Sequence, residues 1–501
     1  MSLSTLTTRP RRTGVSSPTD TPSLKSRSVE TLAAPAPDAA TAAASTAAAA
    51  ADQPKSLFMA FYENVIHRTV APLFLMLATL LWVPFCIHTV TQLDGSYARL
   101  IEFIASEGLV NAYRKCYVAP DATTYGILIV FSVFQLVLMF ALPGRRVAGP
   151  ESEGGFTPIY RANGVAAYLV TCISLVAVHF SGLFDVSRVY DQLPQIFSLT
   201  VPGIFVFCLL LYVKGALLPS NRHSSKLAPG EDNPDFGLSG NPILDFYAGT
   251  ELYPYIGPLN LKFYTNCRWG MMTWPTLIIV YAIKQYTMLG HLSNPMIMSV
   301  TIQLVYLFKF FHWEMGYMAT LDIMHDRLGY YICWGIFCLV PSLYTLCTNY
   351  LVNHPYEISN LTCFLGTVFG ISLVALEYHI DMERVHFRNA KGKDKIWGRL
   401  PRHVVAKYIA ADGTERTSLL LADGFWGLSR HINYAFEIAM TFVWTVPFQF
   451  NHIMPYSYVI FLTGLLLHRL YRDEVRCSQK YGEHYEEYRR LVPYYLIPYV
   501  F

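Results

Sequence analysis

Ten runs of mostly apolar residues, each long or nearly long enough to cross a bilayer, constrain this 501-residue chain more than any other feature. They fall at about residues 70–91, 124–143, 163–183, 195–218, 270–289, 296–312, 329–352, 360–378, 434–450 and 455–468. With 53% hydrophobic and 15% charged residues, a soluble fold of this size would lack polar surface. Backbone in hydrocarbon must bond within itself, so the runs read as helices and the chain as an all-α integral membrane protein of about ten spans. Pro202, Pro275, Pro341 and Pro447 fall inside runs, where neighbouring helices satisfy the carbonyls that a kink frees.

The net charge of +3 says little, but its distribution orients the chain. With a cytosolic N-terminus, the loops and tail after the even-numbered runs hold 24 Lys and Arg, against 4 on the opposite side. The positive-inside rule therefore predicts that both termini are cytosolic. The ten cysteines, mostly inside runs as at Cys86, Cys208, Cys333 and Cys338, lack paired spacing, which argues against a disulfide framework or a metal site. Residues 1–55, rich in Ser, Thr, Pro and Ala, cannot bury a core and are expected to be a disordered tail before a multi-span domain, 56–501. Arg9, Arg11 and Arg12 leave an organelle-targeting peptide as the alternative reading of that tail. The sequon at Asn360 abuts a run and is expected to go unused. No nucleic-acid partner is expected; the partners are the bilayer and a lipid.

Polar chemistry is concentrated between the runs. Ser239–Gly257 and Leu261–Trp274 mix glycines, aromatics and polar groups at a density that suggests an interfacial segment lining a cavity. Lys284 and Lys309 lie within runs, so each snorkels or pairs with an acid. Asp322, His325 and Asp326 are spaced i, i+3, i+4 and share a face if that segment is helical. They could bind a hydroxyl, relay a proton or hold a metal, the last disfavoured because no further ligand has a recognisable spacing. The loop Ile380–Asn433 carries ten Lys and Arg against six acids. A solvated face is the ordinary reading of such a run, but its basic residues can face those of the tail and bind phosphate.

The C-terminal stretch gathers the rest. The last run ends in HRLYRDEVRCSQKYG, setting Arg469, Arg472, Asp473 and Arg476 where a helix leaves the bilayer, which suits a phosphate-bearing ligand at the membrane surface. Asp473 and Cys477 are one turn apart with Lys480 and Tyr481 nearly in line, and Arg384 and Arg388 form another such pair. Trp426 stacks on a ring or packs in a core; His431 and Tyr434 flank Asn433 as hydrogen-bond donors or as caps and interfacial anchors. Glu437 lies inside the ninth run, where desolvation favours its protonated form; it is a proton donor or bonds a neighbouring helix. No G-x-G-x-x-G follows a strand, which excludes a Rossmann domain.

RHINY (Arg430–Tyr434), RDEVRCSQKYGEHYEEY (Arg472–Tyr488) and the closing VPYYLIPYVF resemble the C-terminal signature of the membrane sterol reductases. GNP, DF and G-x-E-L-x-P around Asn241, Asp245, Glu251 and Pro254, R-x-G at Arg268 and Gly270, and TLDIMHDRLG add to the resemblance. YTL and YLVNHP bring it nearest to the Δ7 group, although Ile336 and Cys347 stand where that group has polar residues. The resemblance implies reduction of a sterol double bond with NADPH, by protonation of one olefinic carbon and hydride transfer to the other. It implies cofactor contacts from Arg384, Arg388, Leu421, Trp426, Asn433, Tyr434, Asp473, Cys477, Lys480, Tyr481 and Tyr488, most of the site lying in 380–501. Glu437 stands at the family's acidic position as proton donor, with Tyr317, Asp322 and His325 as further candidates for donor or sterol contact. Asp381 and Glu383 replace family amides, and carboxylates beside a pyrophosphate predict weakened affinity.

An endoplasmic reticulum membrane location follows from the resemblance. The alternatives within the family are a Δ14 reductase, which usually has Pro where this chain has Ile432, and a C24 reductase. A sterol- and NADPH-binding protein without turnover is the alternative of another class.

Overall fold

The computed structural model describes residues 62–220, 233–409 and 414–501; the expected N-terminal tail and its boundary at residue 56 lie outside them. Every one of the ten apolar runs is helical. We number the helices α1 (Ala71–Gln92), α2 (Ala122–Ala141), α3 (Gly164–Phe180), α4 (Leu193–Leu217), α5 (Met271–Leu289), α6 (Asn294–His312), α7 (Tyr330–Asn353), α8 (Asn360–Asn389), α9 (Ile432–Thr445) and α10 (Ser457–Tyr481), followed by the polar α11 (Glu483–Leu491). By length and composition six could cross a membrane, namely α1 with its preceding turns, α2, α4, α6, α7 and α8. α3 is apolar but has only 17 residues, α9 has 14, and the apolar part of α10 gives way to a charged extension.

Internal prolines are accommodated as expected. Pro202 and Pro275 lie within α4 and α5, and α7 widens into π-type turns over Gly335–Tyr344, around Pro341. Several charged groups among the helices are paired. Lys284 meets Asp191 at 2.6 Å, Lys309 meets Glu377, and Lys214 meets Glu251 at 2.7 Å. Arg268, fully buried, holds Glu314 at 2.6 Å and donates to Asn163 Oδ1 at 2.8 Å, while Glu314 accepts from the Gly164 N–H at 3.0 Å. The loop leading into α3 and the polar stretch around Arg268 thus meet in one structural knot. Gly270 has no Cβ because Ile336 packs against that position, which gives the apolar residue at 336 a packing role.

The bundle is mostly helical, but among the described residues three short antiparallel strand pairs join its loops. The largest falls in the charged segment expected to be a solvated loop: β1 (His403–Ile409) pairs with β2 (Glu415–Leu421), His403 opposite Leu421 and Ile409 opposite Glu415. HVVAKYI alternates, and its buried Val404 and Ala406 pack with Leu420 on Tyr485, Tyr488 and Val492. That period of two was legible but masked by the charges around it. α8 carries the rest of the segment outward; its 30 residues span about 45 Å, well beyond a hydrocarbon core of about 30 Å.

Candidate active site

The rim of the site is built where α8, β2, α10 and α11 leave the bundle. Arg384, Arg388, Leu421, Trp426, Asp473, Cys477 and Tyr488 line one cleft, together with Leu420, Arg430, His431 and Tyr485. Seven of the predicted cofactor residues therefore converge from three segments of the chain. The Arg384 guanidinium lies 4.6 Å over the Trp426 ring, whose Nε1–H donates to the Ile380 carbonyl at 2.9 Å. Among the described residues neither Arg384 nor Arg388 has a carboxylate within ion-pair distance, so two guanidiniums one turn apart face the cleft with Asp473 as the acid on its lining. Arg430 is different: it is buried, holds Glu474 at 2.7 Å, donates to the carbonyls of Val492 and Pro493, and ties the turn before α9 to the C-terminal segment.

Asp473, in the polar extension of α10, sits 3.4 Å from His431 Nε2 and 2.5 Å from Arg476. Burial alone raises its pKa, but the His431 hydrogen bond and the Arg476 charge outweigh this and hold it at about 2, an acceptor at any working pH. Burial, helped by the Asp473 charge, pushes the Cys477 thiol up to about 11, which keeps it neutral and unreactive. Tyr434 packs 5.3 Å from the His431 ring. Lys480 and Tyr481 lie further along α10, Lys480 Nζ being 4.2 Å over the Tyr408 ring of β1, so they form the lip of the cleft rather than its wall. Two buried polar atoms here, His431 Nδ1 and Asn433 Oδ1, have no partner among the described residues.

Below the rim, Glu437 on α9 accepts a hydrogen bond from the Tyr306 hydroxyl of α6 at 2.8 Å. An aromatic cage surrounds this pair: Trp274 meets Trp444, Tyr344 and Tyr458 edge to face, with Tyr306 5.7 Å from Trp274 and 5.5 Å from Trp444. Tyr317 donates to Asn266 at 3.2 Å, and Asp322 forms an ion pair with Arg469 of α10.

The shared face expected for Asp322, His325 and Asp326 does not form, because the helix there is one turn long, Leu321–Met324. His325 turns to the surface beside Glu153, at 3.4 Å, which corrects its reading as a donor or sterol contact. The buried Lys262 ammonium caps that turn through the carbonyls of Ile323, at 2.7 Å, and Asp326, at 2.5 Å. Asp381 and Glu383 also turn away from the cleft. Asp381 accepts from Asn433 at 3.2 Å, and Glu383 accepts from the Phe425 N–H at 3.0 Å. Their hydrogen bonds are internal to the fold, and neither side chain lines the cleft.

Sequence reasoning missed Tyr306 and the pairing of Lys309 with Glu377. Ionisable groups inside apolar runs were the available signal, but pairing across helices has no sequence period.

Residues 67–501 match the Ergosterol biosynthesis ERG4/ERG24 family. The chain is 42% identical to a 7-dehydrocholesterol reductase of Arabidopsis thaliana over 87% of its own length and 99% of that protein's. It is 33% identical to a 7-dehydrocholesterol reductase of Xenopus laevis, covering 76% of this chain and 80% of the relative. A Delta(14)-sterol reductase of Methylotuvimicrobium alcaliphilum is 31% identical, over 78% and 87% of the two chains. With a family match across the whole helical bundle and relatives alike over most of their lengths, the chain belongs to the ERG4/ERG24 family of membrane sterol reductases.

Proposed function

We propose that this protein uses NADPH to reduce the Δ7 double bond of a sterol, from the cytosolic face of the endoplasmic reticulum membrane. The observation that carries the reading is Glu437, a carboxyl hydrogen-bonded to Tyr306 inside an aromatic-walled bundle and beneath a cleft with two unpaired guanidiniums. The Arabidopsis thaliana relative, named for 7-dehydrocholesterol and matched over nearly its full length, favours Δ7 over Δ14.

The cleft suits a phosphorylated dinucleotide. Arg384 and Arg388 would take its phosphates, Asp473 would accept from a ribose hydroxyl, and the partnerless His431 and Asn433 atoms await a polar ligand. When bound, NADPH supplies the hydride, which no side chain can. The chain's own residues bury the sterol, exclude water and move a proton. Glu437 gives its proton to one olefinic carbon, leaving a cation at the other for the hydride to reach. Tyr306, bonded to the Glu437 carboxyl, orients it and stabilises the carboxylate left behind.

The test is to express the chain in cells lacking their own Δ7 reductase, supply a 5,7-diene sterol, and profile sterols by mass spectrometry. Loss of the diene with appearance of the 7,8-saturated sterol is expected. Reduction of Δ14 or C24 double bonds instead would reassign the substrate, and no reduction of any sterol would refute the enzyme reading.

A further inference from the structure

Three helices each present a pair of polar groups one turn apart to the same interior. Tyr306 and Lys309 come from α6, Glu377 and Asp381 from α8, and Asn433 and Glu437 from α9. The links between them are continuous. Asn433 donates to Asp381, Asp381 lies one turn along α8 from Glu377, Glu377 pairs with Lys309, and Lys309 Nζ sits 5.1 Å over the ring of Tyr306, which bonds Glu437. The file runs from Asn433, next to the rim of the cytosolic cleft, to Glu437 inside the bundle.

Its charges do not balance locally. One ammonium faces three carboxyls, while Arg469 is already paired with Asp322 and Arg384 is stacked at the rim. Groups withdrawn from water cannot all be ionised with so few counter-charges, so the cluster retains an exchangeable proton. Glu377 is buried, whereas Asp381 is half-buried and one turn from Arg384 at the rim, an order suited to uptake at one end and delivery at the other.

Given the reductase reading, on which this rests, each turnover removes one proton from Glu437, and its carboxylate must regain one before the next. We propose that Asp381 and Glu377, with the Lys309 ammonium between Glu377 and Glu437, form the route by which a cytosolic proton reaches Glu437. Asp381 takes a proton from water and passes it to Glu377; Lys309 gives one of its own to the Glu437 carboxylate and is restored from Glu377. No bond to carbon changes in the relay, and one proton enters for each one delivered to the sterol.

The test compares the full-length protein with Asp381→Asn, Glu377→Gln and Glu377→Gln/Lys309→Met in nanodiscs, with NADPH and a 5,7-diene sterol. Asp381→Asn and Glu377→Gln are expected to lower kcat about tenfold or more, with NADPH and sterol KM little changed. Their solvent deuterium isotope effect should rise, and formate, a small diffusible acid, should restore part of the rate. The double variant keeps the charge count even if Glu377→Gln alone fails to fold. An active wild type whose variants match it in kcat and isotope effect would overturn the relay alone, as would a loss of rate that tracks lost NADPH binding and resists formate. A wild type that reduces no sterol would overturn the underlying reading and the relay with it.

Discussion

At the scale of single residues, Glu437 and Arg388 separate proton delivery from cofactor binding. Glu437→Gln keeps the shape and an acceptor for the Tyr306 hydroxyl but has no proton to give, so kcat should fall by about 10²–10⁴. NADPH affinity should be unchanged, and normal turnover by this variant would remove Glu437 from the chemistry. Arg388→Ala removes one of two guanidiniums that have no carboxylate partner among the described residues. The loss of a charge-assisted bond worth about 1.5–3 kcal/mol should raise NADPH KM roughly 10- to 100-fold while kcat is largely retained. Steady-state kinetics decide it, an unchanged KM denying Arg388 a phosphate role. Both residues were legible in the sequence, one as an acid in an apolar run and the other as half of an i, i+4 basic pair. The inward turn of Asp381 and Glu383 was not, because it depends on Asn433 and Phe425 from a segment some 40 to 50 residues away.

Between helices, the knot of Arg268, Glu314, Asn163 and Gly164 joins the start of α3 to the segments preceding α5 and following α6. Burying an ion pair is a weak source of net stability, but breaking one is costly because the survivor is left charged without water. Arg268→Met should therefore cost about 3–5 kcal/mol. The double variant Arg268→Met/Glu314→Met should recover a good part of that loss, measured as thermal unfolding in detergent. Additive losses in the double variant would show that the two charges do not depend on each other. The sequence marked Arg268 without showing what it touches. Helical runs can be read from periodicity and apolar length, whereas such rivets depend on the rotation of one helix against another. The short helix at Leu321–Met324 makes the same point from the other side. An i, i+3, i+4 spacing implies a shared face only while the helix lasts, and Lys262 closes it after a single turn.

For the molecule as a whole, the location of all ten helices was readable because apolar length is a property of contiguous sequence, and the charge asymmetry predicts their orientation. The β1–β2 hairpin was hidden by its charged surroundings, although its alternation follows from Val404 and Ala406 packing on Tyr485 and Tyr488. The orientation has a consequence for function. α8 begins at Asn360, whose side chain is held by Asn294 at 2.9 Å, and runs to the unpaired Arg384 and Arg388 at its far end. On the proposed topology that basic end is cytosolic, the cleft proposed to take the cofactor opens on the side of the positive loops, and the Asn360 sequon belongs to the opposite end of α8. NADPH, a multiply charged solute that does not cross a bilayer unaided, should therefore support sterol reduction when added outside sealed, right-side-out microsomes. The rate should be nearly the same after detergent permeabilisation, because the sterol enters from the membrane and the cleft already faces the medium. Proteolysis of intact vesicles at the exposed Lys407 and Lys480 should abolish that activity. Reduction that appears only after permeabilisation would place Arg384 and Arg388 on the lumenal side and invert the topology read from the loops.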